Sequence, residues 1–255
     1  MSAALLVALQ LTAPLELYAF HHATGKNVAT RLFIVDPKLP KRMDIAFTVG
    51  VVSHGERLIL IDAGFLRDAV PKSFEVTDYR SVRDLLVDFE MEAEAVTDVV
   101  LTHEHWDHWN GITEIPNARI WLTPEAHAAA RGPVRAHLKR AKATDRLRLV
   151  RGKTEVAPGI LAIPKGLHTR GFLYVTVEHE DEAWVFASDL GALRANFERL
   201  KPTGQTTNPR KTRQWLREIR DAYPLDHIIP SHDLSLFEEG SRAWRARGSH
   251  SSEAE

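Results

Sequence analysis

The feature that most constrains this chain is LTHEHWDHWNG at residues 101–111, which places His103, His105, Asp107 and His108 within six positions directly after the apolar run VTDVVL. Neutral imidazole and carboxylate are the side chains that suit zinc and similar divalent metals. A loop just beyond a buried strand is also where a rigid sheet can hold such groups in a crevice. The pattern therefore asks for a strand-rich scaffold and for further ligands elsewhere in the chain.

Both are legible. LELYAF, ATRLFIV, IAFTVGVVS and RLILIDAG in the first half, and GILAIP, FLYVTVE and AWVFASD in the second, read as strands, with DHIIP as a short one near the end. VTDVVLTH and NARIWLT add two more. His54-Gly55-Glu56 and the HEDE segment (179–182) read as hairpin turns. Covering helices are expected over 81–91 behind a Ser81 start, over 124–143 with a break at Gly132-Pro133, and over PRKTRQWLREIRDAYP with Trp215, Ile219 and Ala222 on one stripe. Strands with interleaved helices, twice over, predict two packed sheets with helices outside.

Position sorts the 13 histidines. His21, His22, His54, His127, His137, His179, His227 and His250 fall in elements, turns or the tail without a partner at ligand spacing. They read as ordinary surface or hydrogen-bonded core residues. His168 in IPKGLHTRGF and His232 in IIPSHDLS instead follow strands and sit in loops. Asp189, ending the strand VFASDLG, is by itself as compatible with a turn or helix cap; beside the other loops it completes a set of seven nitrogen and oxygen ligands, each just beyond a strand.

Composition narrows the chemistry. The absence of cysteine excludes thiolate zinc sites, iron–sulfur clusters, disulfides and a cysteine nucleophile. Thirty-three basic against 34 acidic side chains give a formal net charge of -1, so no nucleic-acid partner is implied. No apolar run is long enough to span a bilayer. Residues 1–243 are expected to form one domain, with 1–13 a signal-like or flexible segment and 244–255 a disordered tail. A cytoplasmic location is expected, or a periplasmic or secreted one if 1–13 act as a signal. Oligomeric state is not readable.

Five motifs in order, IDAGF (61–65), THEHWDH (102–108), GLHTRG (166–171), SDLG (188–191) and PSHD (230–233), resemble the metallo-β-lactamase superfamily, and the layout is most similar to its N-acyl homoserine lactonase group. The resemblance implies an α/β (α+β) four-layer αββα sandwich with metals at one edge of the sheets. It implies that His103, His105 and His168 hold one metal, that Asp107, His108 and His232 hold a second, and that Asp189 bridges them. Two Zn2+ are expected, with iron and manganese also suited to the donors. Such a pair, roughly 3.5–4 Å apart, supplies a bridging hydroxide that opens an ester or lactone of a small hydrophobic molecule. Asp107 is the expected catalytic residue, orienting the hydroxide and carrying a proton, and Asp62 is read as a carboxylate supporting a ligand. The lactonase group carries a tyrosine three residues after the bridging aspartate where this chain has Ala192, and Tyr79 or Tyr174 are the candidates to replace its hydroxyl. Trp106, Trp109, Phe65 and Phe172 are candidates for aromatic surface near substrate, and Phe197 for core. The competing readings are a thioesterase or phosphodiesterase on the same site, and a non-catalytic metal-binding protein.

Overall fold

The computed structural model describes residues 15–246, so the signal-like segment, His250 and the last nine residues lie outside the described residues. In chain order, β1 (Leu15–Ala29), β2 (Arg42–His54), β3 (Arg57–Ile61), β4 (Glu75–Thr77), β5 (Asp98–Val100), β6 (Arg119–Leu122) and β7 (Leu147–Leu149) build a first sheet. A second sheet contains β8 (Thr154–Ala157), β9 (Ile160–Pro164), β10 (Leu173–His179), β11 (Glu182–Ser188) and β12 (Ile228–Pro230), after which β13 (Ala243–Arg245) returns to the first. Their orders are β13-β1-β2-β3-β5-β6-β7, with β4 also on β1, and β12-β11-β10-β9-β8.

The alternation of side chains explains why two sheets and outer helices are needed. In β3, Ile59 and Ile61 face Val175, Val177, Trp184 and Phe186 of the second sheet, whereas Leu60 faces outward. Leu60 is covered by Leu85 and Leu86 of α1 (Val82–Asp88), whose Ser81 side chain accepts from Asp84 N as an N-cap. A one-turn α2 (Trp106–Trp109), then α3 (Pro124–Ala129) and α4 (Gly132–Ala143), complete that outer layer. In β11, Trp184 and Phe186 point between the sheets while Val185 and Ala187 point out, under Phe197 of α5 (Arg194–Arg199) and Leu216 and Ile219 of α6 (Pro209–Ala222). The layers run helix, sheet, sheet, helix, as expected. Each fully buried side chain of this size contributes about 1.5–3 kcal/mol.

Four sequence expectations need correction. The apolar segment 29–35 is not a strand: Thr30–Leu32 form a 3-10 turn in which Phe33 N and Ile34 N donate to Thr30 O, which drives Phe33 and Ile34 into one cluster. The stripe of α6 is centred on Thr212, Leu216 and Ile219, with Ala222 exposed. The break between α3 and α4 falls at 130–131, because Pro133 lacks an N–H and is accommodated in the first turn of α4. The tail does not begin at 244: Trp244 pairs with Ala19 and Arg245 with Tyr18, closing the free edge of β1.

The strands β3, β5, β6 and β7 are mutually parallel, so their C-terminal ends meet at one edge of the molecule. At the opposite end of β5 the buried Asp98 carboxylate accepts from Trp121 Nε1 at 2.8 Å and pairs with Arg119 at 2.9 Å.

Candidate metal centre

The site lies where the strands stop. β3 leads to Asp62, β5 to His103, β9 and β10 flank the loop holding His168, β11 ends before Asp189, and β12 before His232. The turns are tight: Asp62, Gly64 and Ser188 have φ of 67°, 58° and 48°, in the left-handed region. Asp enters that region more readily than most residues and Gly without penalty; Ser188 is held there by its neighbours. Gly111 closes the motif, since a Cβ there would sit 2.0 Å from Ala63 O.

All seven sequence-predicted ligands come together. His103, His105, His168 and Asp189 form one group and Asp107, His108 and His232 an adjoining one. His105 Nδ1 is 3.0 Å from both His103 Nε2 and His168 Nε2. Asp189 Oδ2 lies 3.2 Å from His168 Nε2 and 3.8 Å from His103 Nε2. Its other oxygen, Oδ1, lies 3.1 Å from His232 Nε2 and 3.4 Å from His108 Nε2. Asp107 Oδ2 is 3.6 Å from His232 Nε2 and 3.7 Å from His108 Nε2. Atoms held about 2.0–2.2 Å from one tetrahedral cation lie roughly 3.3–3.6 Å apart, so both groups have the spacing of a ligand shell.

Hydrogen bonds behind the rings decide which nitrogen faces inward. His232 Nδ1 is 2.9 Å from Ala46 O and His108 Nδ1 is 2.7 Å from Asp62 Oδ2, both oxygens that only accept, so each Nδ1 carries the proton. Thr102 donates its hydroxyl to Asp62 Oδ2 and its N–H to Asp62 Oδ1, leaving its oxygen to accept from His103 Nδ1 at 3.0 Å. In all three the Nε2 lone pair is turned to the centre, the arrangement that readies histidine for a metal. Asp62 thus acts behind a ligand, as the sequence suggests. Thr102, Ser188 and Ser231 are contributors that sequence reasoning missed: Ser188 Oγ lies 2.9 Å from Thr102 Oγ1, and Ser231 donates to Asp189 Oδ1. Their only signal is adjacency to a ligand.

The electrostatics divide the centre. Burial, followed by the neighbouring histidines, holds His103 well below the usual imidazole range; burial also takes His168 down to about 3. Three ring nitrogens, from His103, His105 and His168, converge here, and a cation would satisfy all three at once. Burial opposes charge on His108 and His232 too, but there Asp62, Asp107 and Asp189 outweigh it and raise His108 well above the usual range, and Asp189 and Asp107 raise His232. Asp189 is held far below the ordinary carboxylate range by His232, His108 and His168 despite its burial. Among the described residues His108 Nε2 is buried without a well-formed hydrogen bond, its nearest acid being Asp189 Oδ1 at 3.4 Å, and it is aimed at the place a cation would fill.

Around this centre the aromatic residues sort unevenly. Phe65, Phe172 and Phe197 are fully buried and Trp109 belongs to the core, so these are not open surface. Trp106 is partly exposed and packs against Phe65, Phe47 and Phe74 at 4.7–5.5 Å, beside the His232 ring that also contacts Phe47 and Phe33. Ala192 is buried, and its carbonyl accepts from His232 N. Neither tyrosine supplies the missing hydroxyl: Tyr79 donates to Phe65 O, and Tyr174 packs in the cluster under α6. The remaining described histidines stand outside both groups. His22, for example, bridges the Phe65 backbone in the core.

The sequence profile of the Metallo-beta-lactamase superfamily matches residues 48–232. Solved structures share the fold at low identity. A probable metal-dependent hydrolase from Staphylococcus aureus superposes with a TM-score of 0.73 at 18% identity, covering 87% of this chain and 90% of that one. An N-acyl homoserine lactone hydrolase with the product N-hexanoyl-L-homoserine bound at its catalytic metal centre gives 0.70 at 18% identity, over 86% and 94%. A dizinc quorum-quenching lactonase gives 0.65 at 16% identity, over 93% and 95%. No curated protein sequence matches the chain significantly. Among the described residues no helix is long and apolar enough to cross a membrane.

Proposed function

This chain belongs to the metallo-beta-lactamase superfamily, and from that premise we propose that it is a dinuclear metal-dependent hydrolase that opens an ester or lactone of a small hydrophobic molecule. The coarser class, a metal-dependent hydrolase, rests on the family and on the imidazole and carboxylate cluster. The observation that carries the dinuclear reading is the division of Asp189, one oxygen toward His103 and His168 and the other toward His108 and His232. Nitrogen and oxygen donors at tetrahedral spacing favour zinc. Held by His103, His105, His168 and Asp189 on one side and by Asp107, His108 and His232 on the other, two such cations would acidify a water to near neutrality and polarise the bond under attack.

The chain's own residues supply the rest. Asp189, its carboxyl held well below the usual range by the surrounding histidines despite burial, offsets charge at the centre. Asp107, with a side chain 12% exposed against 6% for Asp189, is the more open carboxylate, which supports its role in taking a proton and passing it to the departing oxygen. The half-open rings of Trp106 and Phe74, backed by the buried Phe47, offer an apolar wall near His232 for an acyl chain. The lactone hydrolase neighbour with an N-hexanoyl product at its metals supports this class of substrate.

Zinc-loaded protein tested against lactones, esters, thioesters, phosphodiesters and β-lactams is expected to turn over the first two fastest. In Asp107→Asn, kcat should fall by about 10²-fold or more with both metals retained. Near wild-type kcat in a fully metallated variant would remove Asp107 from the chemistry.

A further inference from the structure

The loop that carries His168 also borders a cationic cavity. A cavity of about 380 Å³ is lined by Thr123, Pro124, Glu125, Val150, Arg151, Pro164, Lys165, Gly166 and Arg170. It lies within the size range of small-molecule sites. It opens at the same edge as the metal centre, because β6, β7 and β9 all end there, and one loop serves both. Residues 165–172 carry His168 into the first ligand group and Arg170 into the cavity. That loop is pinned: Lys165 N donates to Phe172 O at 2.9 Å, and Thr123 Oγ1 to Gly171 O at 2.8 Å. Arg170 therefore keeps a fixed relation to the metal ligands.

Charge in the cavity is unbalanced. Arg151 and Arg170 are exposed and make no hydrogen bond or ion pair within the described residues; Lys165 lays its ammonium 3.4 Å over the Trp215 ring. Glu125 is the only acidic residue in the lining. The chain as a whole has a net charge of -1, yet residues 131–153, which lead into Arg151, carry nine Lys and Arg against the single acid Asp145. Like charge focused on one side of a cleft draws in anions and raises their local concentration. Guanidinium forks pair with carboxylate or phosphate oxygens in two parallel bonds, which gives orientation as well as attraction.

Resting on the hydrolase reading, we propose that this cavity is an oxyanion subsite in which Arg151 and Arg170 hold a carboxylate or phosphate on the alcohol part of the substrate. The substrate class is then an amphiphilic ester, its acyl chain on the Trp106 wall, its anion on the His168 side and the scissile bond between them over the metals. Arg151 and Arg170 are specificity residues and take no part in bond making.

The test uses three hexanoate esters that differ in the alcohol: 4-hydroxybenzoate, 4-hydroxyphenyl phosphate and neutral 4-hydroxybenzamide. The readout is the ratio of kcat/KM for each anionic ester to that for the neutral one, in zinc-loaded wild type and in Arg151→Gln/Arg170→Gln. The ratio should fall about tenfold or more in the double variant, through KM rather than kcat, and recover in Arg151→Lys/Arg170→Lys. Which anion shows the larger ratio identifies the oxyanion. A ratio unchanged by the glutamines overturns the proposal, even with all three esters hydrolysed. If none is hydrolysed, the hydrolase reading fails instead, and calorimetric titration with free 4-hydroxybenzoate decides the subsite: weaker binding to the glutamine variant upholds it, equal binding refutes it.

Discussion

Asp62→Asn separates the support of the metal centre from its ligands. Asp62 is buried and accepts from Thr102 N, Thr102 Oγ1 and His108 Nδ1 at 2.8, 2.9 and 2.7 Å. Asparagine has the same shape, but one of its two oxygens becomes an NH2 donor. If the amide oxygen stays on Thr102 N, the NH2 faces both the Thr102 hydroxyl and His108 Nδ1. The hydroxyl must rotate, and His108 must move its proton to Nε2, the atom aimed at the second cation. The change removes a charge-assisted hydrogen bond worth about 1.5–3 kcal/mol, and loss of such a supporting partner typically costs about 10–100-fold in metal affinity. The loss should fall chiefly on the group of Asp107, His108 and His232, with a smaller effect on His103 through the Thr102 hydroxyl. Competition with a chromophoric chelator, resolving two zinc affinities, is the assay, with circular dichroism as a check on folding. A folded Asp62→Asn protein that binds two metals with wild-type affinities would refute the tautomer argument.

Acid should empty the two groups in order. The raised pKa values of His108 and His232 let protons compete for their Nε2 atoms as pH falls through that range. His103 and His168 are depressed, His168 to about 3, and resist until stronger acid. A pH series of metal content per chain should therefore pass through a one-metal plateau; simultaneous loss of both would contradict the asymmetry. Gly111→Ala places a methyl 2.0 Å from Ala63 O, so the loop carrying Asp62 must shift. A loss of about 1–3 kcal/mol with weakened metal binding is expected in denaturant melts with and without zinc, and unchanged stability would show that the loop yields freely.

Much of the site could be read from the chain because every ligand follows a strand, and strands whose apolar residues alternate or run together are the most legible elements of such a sequence. His168 and His232 stood out from the other histidines by that position alone. The hairpins were visible in their turns, Gly55-Glu56 and Glu180-Asp181, with Gly55 and Glu180 at positive φ. What stayed hidden depends on distant partners. Five strands have only three residues; β5 and β12 lie in apolar runs and are legible, whereas β4, β7 and β13 have no such run, and β13 exists because Trp244 finds Ala19 across the whole chain. Segment 29–35 has a strand's apolar run but turns inward at Thr30 to feed Phe33 and Ile34 into the aromatic cluster. The roles of Thr102 and Ser231 depend on where a hydroxyl proton points, which no spacing in a sequence reveals.

The account stands on Asp189 joining two cations. Elemental analysis of protein purified without chelator under zinc-replete conditions, on wild type and Asp189→Asn side by side, tests it most directly. Two metal ions per wild-type chain, falling to one or fewer in the folded variant, are predicted. A single ion per wild-type chain, or two that survive Asp189→Asn at full affinity, would contradict it.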